Sequence, residues 1–177
     1  MIADKFAGDL KYAPHGSLVA TGSRRRESAE SFAVQHGGRA VISYEALIND
    51  PEVEAVYISL PNGLHAEWSI KTMEAGKHVL CEKPIARNTA EANAMFETAE
   101  RTGQILVEAF MYRTLPSVQK IIRMVSDGAL GQVKLIRSNF SFDREVTEGD
   151  ARYNVDQAGG GLMDVGCYCI NLARAVM

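Results

Sequence analysis

The stretch Lys77-His78-Val79-Leu80-Cys81-Glu82-Lys83-Pro84 joins a short apolar run to a carboxylate, an amine and a proline. Val79, Leu80 and Cys81 suit a buried parallel strand, and Gly76 stops the helix-patterned segment before them. Pro84 cannot donate to a sheet ladder and pushes Lys83 out of the helical region, so the strand must end at Glu82-Lys83. In open α/β sheets ligands bind beyond the carboxyl ends of the strands, which is where this pair would stand. Taken alone, the pair reads rather as two solvated charges, the commoner meaning of such neighbours.

What has to position the pair is a soluble domain of ordinary composition. The 177 residues are 46% hydrophobic and 23% charged with a net charge of −3, which provides no basic field for nucleic acid. The first ten residues carry Asp4, Lys5 and Asp9 where a signal peptide needs an uninterrupted apolar run, and no stretch is long and apolar enough for a membrane span, so the chain reads as cytoplasmic. Cys81, Cys167 and Cys169 are odd in number and lack metal-ligand spacing, which fits reduced thiols and no metal.

Patterns of strand and helix alternate along the first two thirds of the chain. Ile2, Phe6 and Leu10 mark one helix face, residues 17–22 a strand, 27–35 a helix closed by Gly37-Gly38, 40–42 a minimal strand, and 44–48 a helical turn or two. Residues 55–60 read as a strand, 64–75 as a helix, 89–102 as a helix with Thr89 as its N-cap, and 104–108 as a strand. This rhythm predicts right-handed βαβ units around a parallel sheet. Beyond a boundary at residue 109 the pattern changes to a helix over 115–125, a long strand over 132–142, an irregular polar segment, and a last helix opened by Gly159-Gly160-Gly161.

With these elements laid out, three pieces resemble the Gfo/Idh/MocA oxidoreductases: Leu60-Pro61-Asn62-Gly63-Leu64-His65, then Gly76 to Pro84, then Gly159-Gly160-Gly161-Leu162-Met163-Asp164-Val165-Gly166-Cys167-Tyr168. Together with Glu108-Ala109-Phe110-Met111-Tyr112-Arg113 they are most similar to the branch of dimeric dihydrodiol dehydrogenases and NADP-dependent xylose dehydrogenases. The resemblance implies a Rossmann-type dinucleotide-binding domain over 1–109 and, over 110–177, the start of an α/β substrate domain that often carries a dimer contact. It implies hydride transfer between a nicotinamide and a carbinol carbon of a sugar, polyol or trans-dihydrodiol. By the family's pattern Lys83 is catalytic with Asp164 and Tyr168, Glu82 contacts the cofactor or holds Lys83, and Lys83-Pro84 is a candidate cis peptide. Leu60, Pro61, Asn62 and His65 would lie at the cofactor, and Arg152, Tyr112 and Tyr168 at the substrate. Asp164 and Tyr168 stand four apart and would share a helix face, and an ammonium near the phenol would lower its pKa so that it takes the alcohol proton. Leu115 departs from the histidine that relatives carry there, which leaves the substrate unassigned.

Cofactor choice follows from the second strand of such a fold, where an acid selects NAD and an arginine admits the 2′-phosphate of NADP. Ser23, Arg24, Arg25 and Arg26 follow residues 17–22 with no acid before Glu27, so NADP is expected in preference to NAD. One part of the pattern is absent. Relatives begin with a strand and a G-x-G-x-x-G turn, whereas this sequence starts within the helix that follows them. The expectation is a gap at the sheet centre between the strands near Leu18 and Val56, and a chain that is a fragment, an alternative start or a misplaced reading-frame start. The alternative to an enzyme is a non-catalytic remnant that acts as a protein-interaction module.

Overall fold

The computed structural model describes residues 2–145, 147 and 149–177; Met1, from which the first helix was expected to start, lies outside them. Helix α1 (Ile2–Leu10) leads to strand β1 (Ala20–Gly22), helix α2 (Arg26–His36), strand β2 (Arg39–Val41) and helix α3 (Tyr44–Ile48). Strand β3 (Ala55–Ile58), helix α4 (His65–Glu74), strand β4 (His78–Cys81), helix α5 (Thr89–Thr102) and strand β5 (Leu106–Glu108) follow. The remaining α-helices among the described residues are α6 (Pro116–Ser126) and α7 (Cys167–Val176). Every strand pair is parallel, as the alternation of strand and helix requires.

The strands form two separate sheets. One is β1-β2 and the other β3-β4-β5, with no ladder joining β1 to β3. A cavity of about 460 Å³ lies between them, walled by Phe6 and Leu10 of α1, Ala20 and Gly22 of β1, and Val56 and Ile58 of β3. The expected gap is therefore present, between β1 and β3 where a sixth strand would pair. The core lies on the β3-β4-β5 side, where Val56, Ile58, Val79 and Cys81 pack with Trp68, Met73 and Met95. Period-two burial along β3 and β4 aims alternate residues away from that core, and this sets the direction of Tyr57 and of Glu82.

Several expectations are corrected. The N-cap of α5 is Asn88, whose side chain accepts from the backbone N–H of Glu91, and Thr89 is its first helical residue. Asn88 has the extended backbone that an N-cap requires, and its carboxamide reaches the third amide of the helix. Residues 132–142 form no strand, although their alternation reads as one. A strand needs a partner ladder, and none of the described residues provides one. The last helix opens with a π turn, Leu162–Gly166, before it becomes α-helical at Cys167.

Candidate active site

Backbone geometry brings Lys83 to a fixed place. The amide of Glu82 donates to the carbonyl of Ile58 at 2.9 Å, continuing the β3-β4 ladder one step past Cys81. The Lys83-Pro84 peptide is cis. The lysine then crosses to the π turn, where Nζ donates to the carbonyl oxygen of Asp164 at 2.6 Å and to its Oδ1 at 3.2 Å. A π turn displaces the backbone from regular helical hydrogen bonding and is frequent at functional sites. Arg152 Nε lies 3.5 Å from Asp164 Oδ2, so the carboxylate bridges lysine and arginine. Arg152 is itself held by Asp150, whose carboxyl backbone N–H donation from Arg152 keeps below the usual range.

Tyr168 converges on the same point from α7. Lys83 Nζ stands 5.3 Å from the centroid of its ring, against the π face rather than at the hydroxyl. Phe110, Tyr112 and Phe140 surround that ring with centroids 5.2, 6.0 and 5.3 Å away. The expected lowering of the phenol is reversed. Burial first, then the charges of Glu82, Cys167 and Asp164, push Tyr168 up to about 12. The first cause is burial, to which the surrounding rings contribute by keeping water from the phenol. Tyr112 is committed through its hydroxyl to Asn171 Oδ1 at 2.5 Å.

The residues expected at a cofactor are divided. Ser23, Arg24 and Arg25 follow β1: the Ser23 amide donates to the Val41 carbonyl, and the Ser23 hydroxyl oxygen accepts from the Arg25 amide at 3.1 Å. Arg26 pairs with Glu30, whereas Arg24 and Arg25 are exposed and have no carboxylate partner among the described residues. Arg24 stacks near Tyr44, 5.9 Å from its ring centroid. Exposed guanidiniums beside a hydroxyl form a donor set that fits a phosphate monoester. Leu60 packs on the core, Pro61 is exposed, and Asn62 Nδ2 donates to the carbonyl of Ala158 at 2.9 Å, tying this loop to the segment that carries Arg152.

His65 stands apart from all of these. It is fully buried, with Nδ1 2.7 Å from the Pro84 carbonyl and Nε2 2.8 Å from the Leu60 carbonyl. Each ring nitrogen faces a backbone carbonyl, one from each of two loops, so the expected contact with phosphate or nicotinamide is corrected to a buried link between those loops. Two residues were missed by sequence reasoning. Tyr57 donates through its hydroxyl to Glu82 Oε1 at 2.5 Å, and Glu108 accepts the amide of Ile85 at 2.8 Å. Burial raises the Glu108 carboxyl. Strand parity was the available signal for Tyr57, because it occupies the non-core face between Val56 and Ile58.

Comparison with known proteins bears on the arrangement. Residues 1–110 match the model of an oxidoreductase family with an NAD-binding Rossmann fold, and residues 118–177 match the GFO/IDH/MocA C-terminal domain. The chain is 44% identical over 157 residues to D-xylose 1-dehydrogenase (NADP(+)) 2 of Haloferax volcanii, covering 88% of this chain and 48% of that protein. It is 34% identical over 160 residues to the trans-1,2-dihydrobenzene-1,2-diol dehydrogenase of Xenopus tropicalis, covering 90% and 48%. Among solved structures, a 3-ketoreductase from Actinomadura kijaniata in complex with NADP and TDP-benzene superposes with a TM-score of 0.89 at 35% identity, covering 96% of this chain and 52% of that one. The chain thus spans about half the length of the relatives it matches.

Proposed function

The chain belongs to the Gfo/Idh/MocA oxidoreductase family, and on that premise we propose that it is the cofactor-binding half of an NADP-dependent enzyme acting on the carbinol carbon of a sugar, polyol or trans-dihydrodiol. The unit over 1–109 binds the cofactor and the unit over 110–177 begins the substrate domain. NADP, when bound, supplies or accepts the hydride. Ser23, Arg24 and Arg25 hold its 2′-phosphate, which is why NADP is preferred to NAD; Glu82 with Leu60, Pro61 and Asn62 forms the rest of its contact.

The observation that carries the reading is the commitment of Lys83. An ammonium has three N–H donors, and two of them go to Asp164, which leaves one for a ligand oxygen. That donor moves the proton at the substrate oxygen as the bond to hydrogen forms or breaks. Tyr168, whose phenol burial keeps protonated, stands beside it as a second proton donor and as a wall of the substrate site. Asp164 holds the lysine, Arg152 holds Asp164 and reaches the substrate, and Tyr112 completes the aromatic wall. Exposed Leu135, Phe140 and Phe142 in residues 132–142 support a homodimer contact in the assembled enzyme. Among the described residues no helix is long and apolar enough to cross a membrane.

Fluorescence titration of the purified chain with NADPH, and with NADH for comparison, tests cofactor binding directly. Saturable binding with NADPH preferred is expected. A chimera that supplies the segments which the longer relatives carry on either side then tests hydride transfer against a panel of aldoses, polyols and diols. The cavity between β1 and β3 favours a second reading, in which this chain holds no cofactor and serves as an interaction module. Absence of any NADPH signal from the folded chain would decide for that second reading.

A further inference from the structure

Glu82 is only 8% exposed and forms no ion pair among the described residues. A carboxylate removed from water needs donors, and this one has two: the Tyr57 hydroxyl at Oε1, 2.5 Å, and the Lys83 amide at Oε2, 3.2 Å. The first is short, as expected where a hydroxyl donates to an ionised oxygen. The sheet register dictates the meeting. Tyr57 lies beside Leu80 in the parallel β3-β4 pair, so it shares a face with Glu82, two places beyond Leu80.

Tyr57 is itself fixed. The ring of Phe6, from α1, stacks on it at 3.9 Å with the planes 23° apart. Burial, then Glu82, raises the phenol, so it stays a donor across the working pH range. One oxygen of Glu82 is thus anchored to a clamped ring, and the other receives the amide that starts the Lys83 segment. The lysine ammonium, 81 residues from Asp164 in the chain, must reach two oxygens of that residue at once. Rotation of the Glu82 side chain would break the contact of its Oε2 with the Lys83 amide, one of the restraints on the backbone from which the lysine departs.

We propose that Tyr57 is the positioning residue of this site, its hydroxyl fixing Glu82 and, through it, the backbone that delivers Lys83 to Asp164. The proposal rests on the reading of Lys83 as the group that meets substrate. Lys83 is faced by Glu82 on its own segment, by Asp164 and Cys167 on the π turn and α7, by the ring of Tyr168, and by Arg152 through Asp164. Tyr57 is faced by Glu82, Tyr168 and Cys81.

The test is a double-mutant cycle on the chain as it is, with Tyr57→Phe, Glu82→Gln and the two combined, after circular dichroism confirms folding. The readout is the rate at which acetic anhydride labels Lys83 at one fixed pH, measured by mass spectrometry against Lys71 in the same digest. Each single variant is expected to speed Lys83 labelling by on the order of threefold to tenfold, and the double variant no further, because both cut one linkage. Multiplying effects, or a Tyr57→Phe rate equal to that of the parent chain, would overturn the proposal. A second measurement is independent of the folding of Tyr57→Phe: the 13C resonance at Tyr57 Cζ, read at one fixed neutral pH, should shift in Glu82→Gln, where the hydroxyl loses its carboxylate acceptor, and an unmoved resonance counts against the linkage. NADPH titration of the same samples keeps the two ideas apart. A chain that binds no NADPH but passes the cycle loses the functional reading alone, and a chain that binds NADPH but fails the cycle loses the positioning role alone.

Discussion

At the scale of residues, the site is a lysine whose direction is set by what its neighbours leave it to do. Replacing it with methionine keeps an unbranched side chain one atom shorter and removes every donor. Lys83→Met, placed in the full-length chimera, is therefore expected to lower hydride transfer by about 10²–10⁴-fold while NADPH titration is unchanged; normal turnover would remove Lys83 from the reaction. Tyr168 gives a pH prediction. Its folded pKa, about 12, lies above the ordinary value of 10.0, so the neutral phenol favours the fold. That contribution is complete below pH 10 and is lost as pH rises through about 12. Urea midpoints measured from pH 9 upward should fall over that window, and Tyr168→Phe should flatten the fall. That Lys83, Asp164 and Tyr168 would come together was legible in the sequence from the motifs and their spacing. The direction of the phenol's shift was not, because the rings that enclose it come from two distant segments, Phe110 and Tyr112 from one and Phe140 from the other. Tyr57 was hidden for a similar reason: its partner lies 25 residues away on the next strand.

At the scale of elements, the loop that carries Arg152 is held by one glycine. A Cβ at Gly159 would lie 2.6 Å from the carbonyl oxygens of Ala151 and Arg152, whereas one at Gly161 meets nothing within 4 Å. Gly159→Ala should destabilise the chain by about 1–3 kcal/mol, because neither backbone carbonyl can yield without unseating Arg152 from Asp164. Gly161→Ala should be nearly neutral in the same melts. Helix α5 provides a cleaner comparison, since Asn88→Ala removes the cap and should cost about 1 kcal/mol. Thr89→Ala should cost less, and the reverse order would restore Thr89 as the cap. Helices were read closely from sequence because caps and periodicity are local: α1, α3 and α6 lie within a residue or so of their expected spans. The strand expected over residues 132–142 failed because pairing is not local, and alternation alone cannot make a ladder.

At the scale of the whole molecule, two sheets sit where one was to be expected of the fold, and the residues proposed for the site are divided between them. Arg24 and Arg25 follow β1, while Glu82 and Lys83 follow β4. The absent glycine-rich turn made the break between them legible in advance. What the sequence could not convey is how the halves are joined across it: α1 contacts both sides, through the Phe6 ring on Tyr57 and through Asp4 to Nε2 of His36 at 3.2 Å. Cooperativity in a sheet passes from strand to strand through the ladder, and here the ladder stops at the cavity. Folding should accordingly divide into two units rather than proceed as one transition. Native-state hydrogen exchange should show the amides of β4, enclosed between β3 and β5, opening only with global unfolding, while those of β1 and β2 open in a separate event at lower free energy. The two arginines proposed to hold a phosphate ride on the unit that opens first, so a chain that held one there would release it while its lysine still held Asp164.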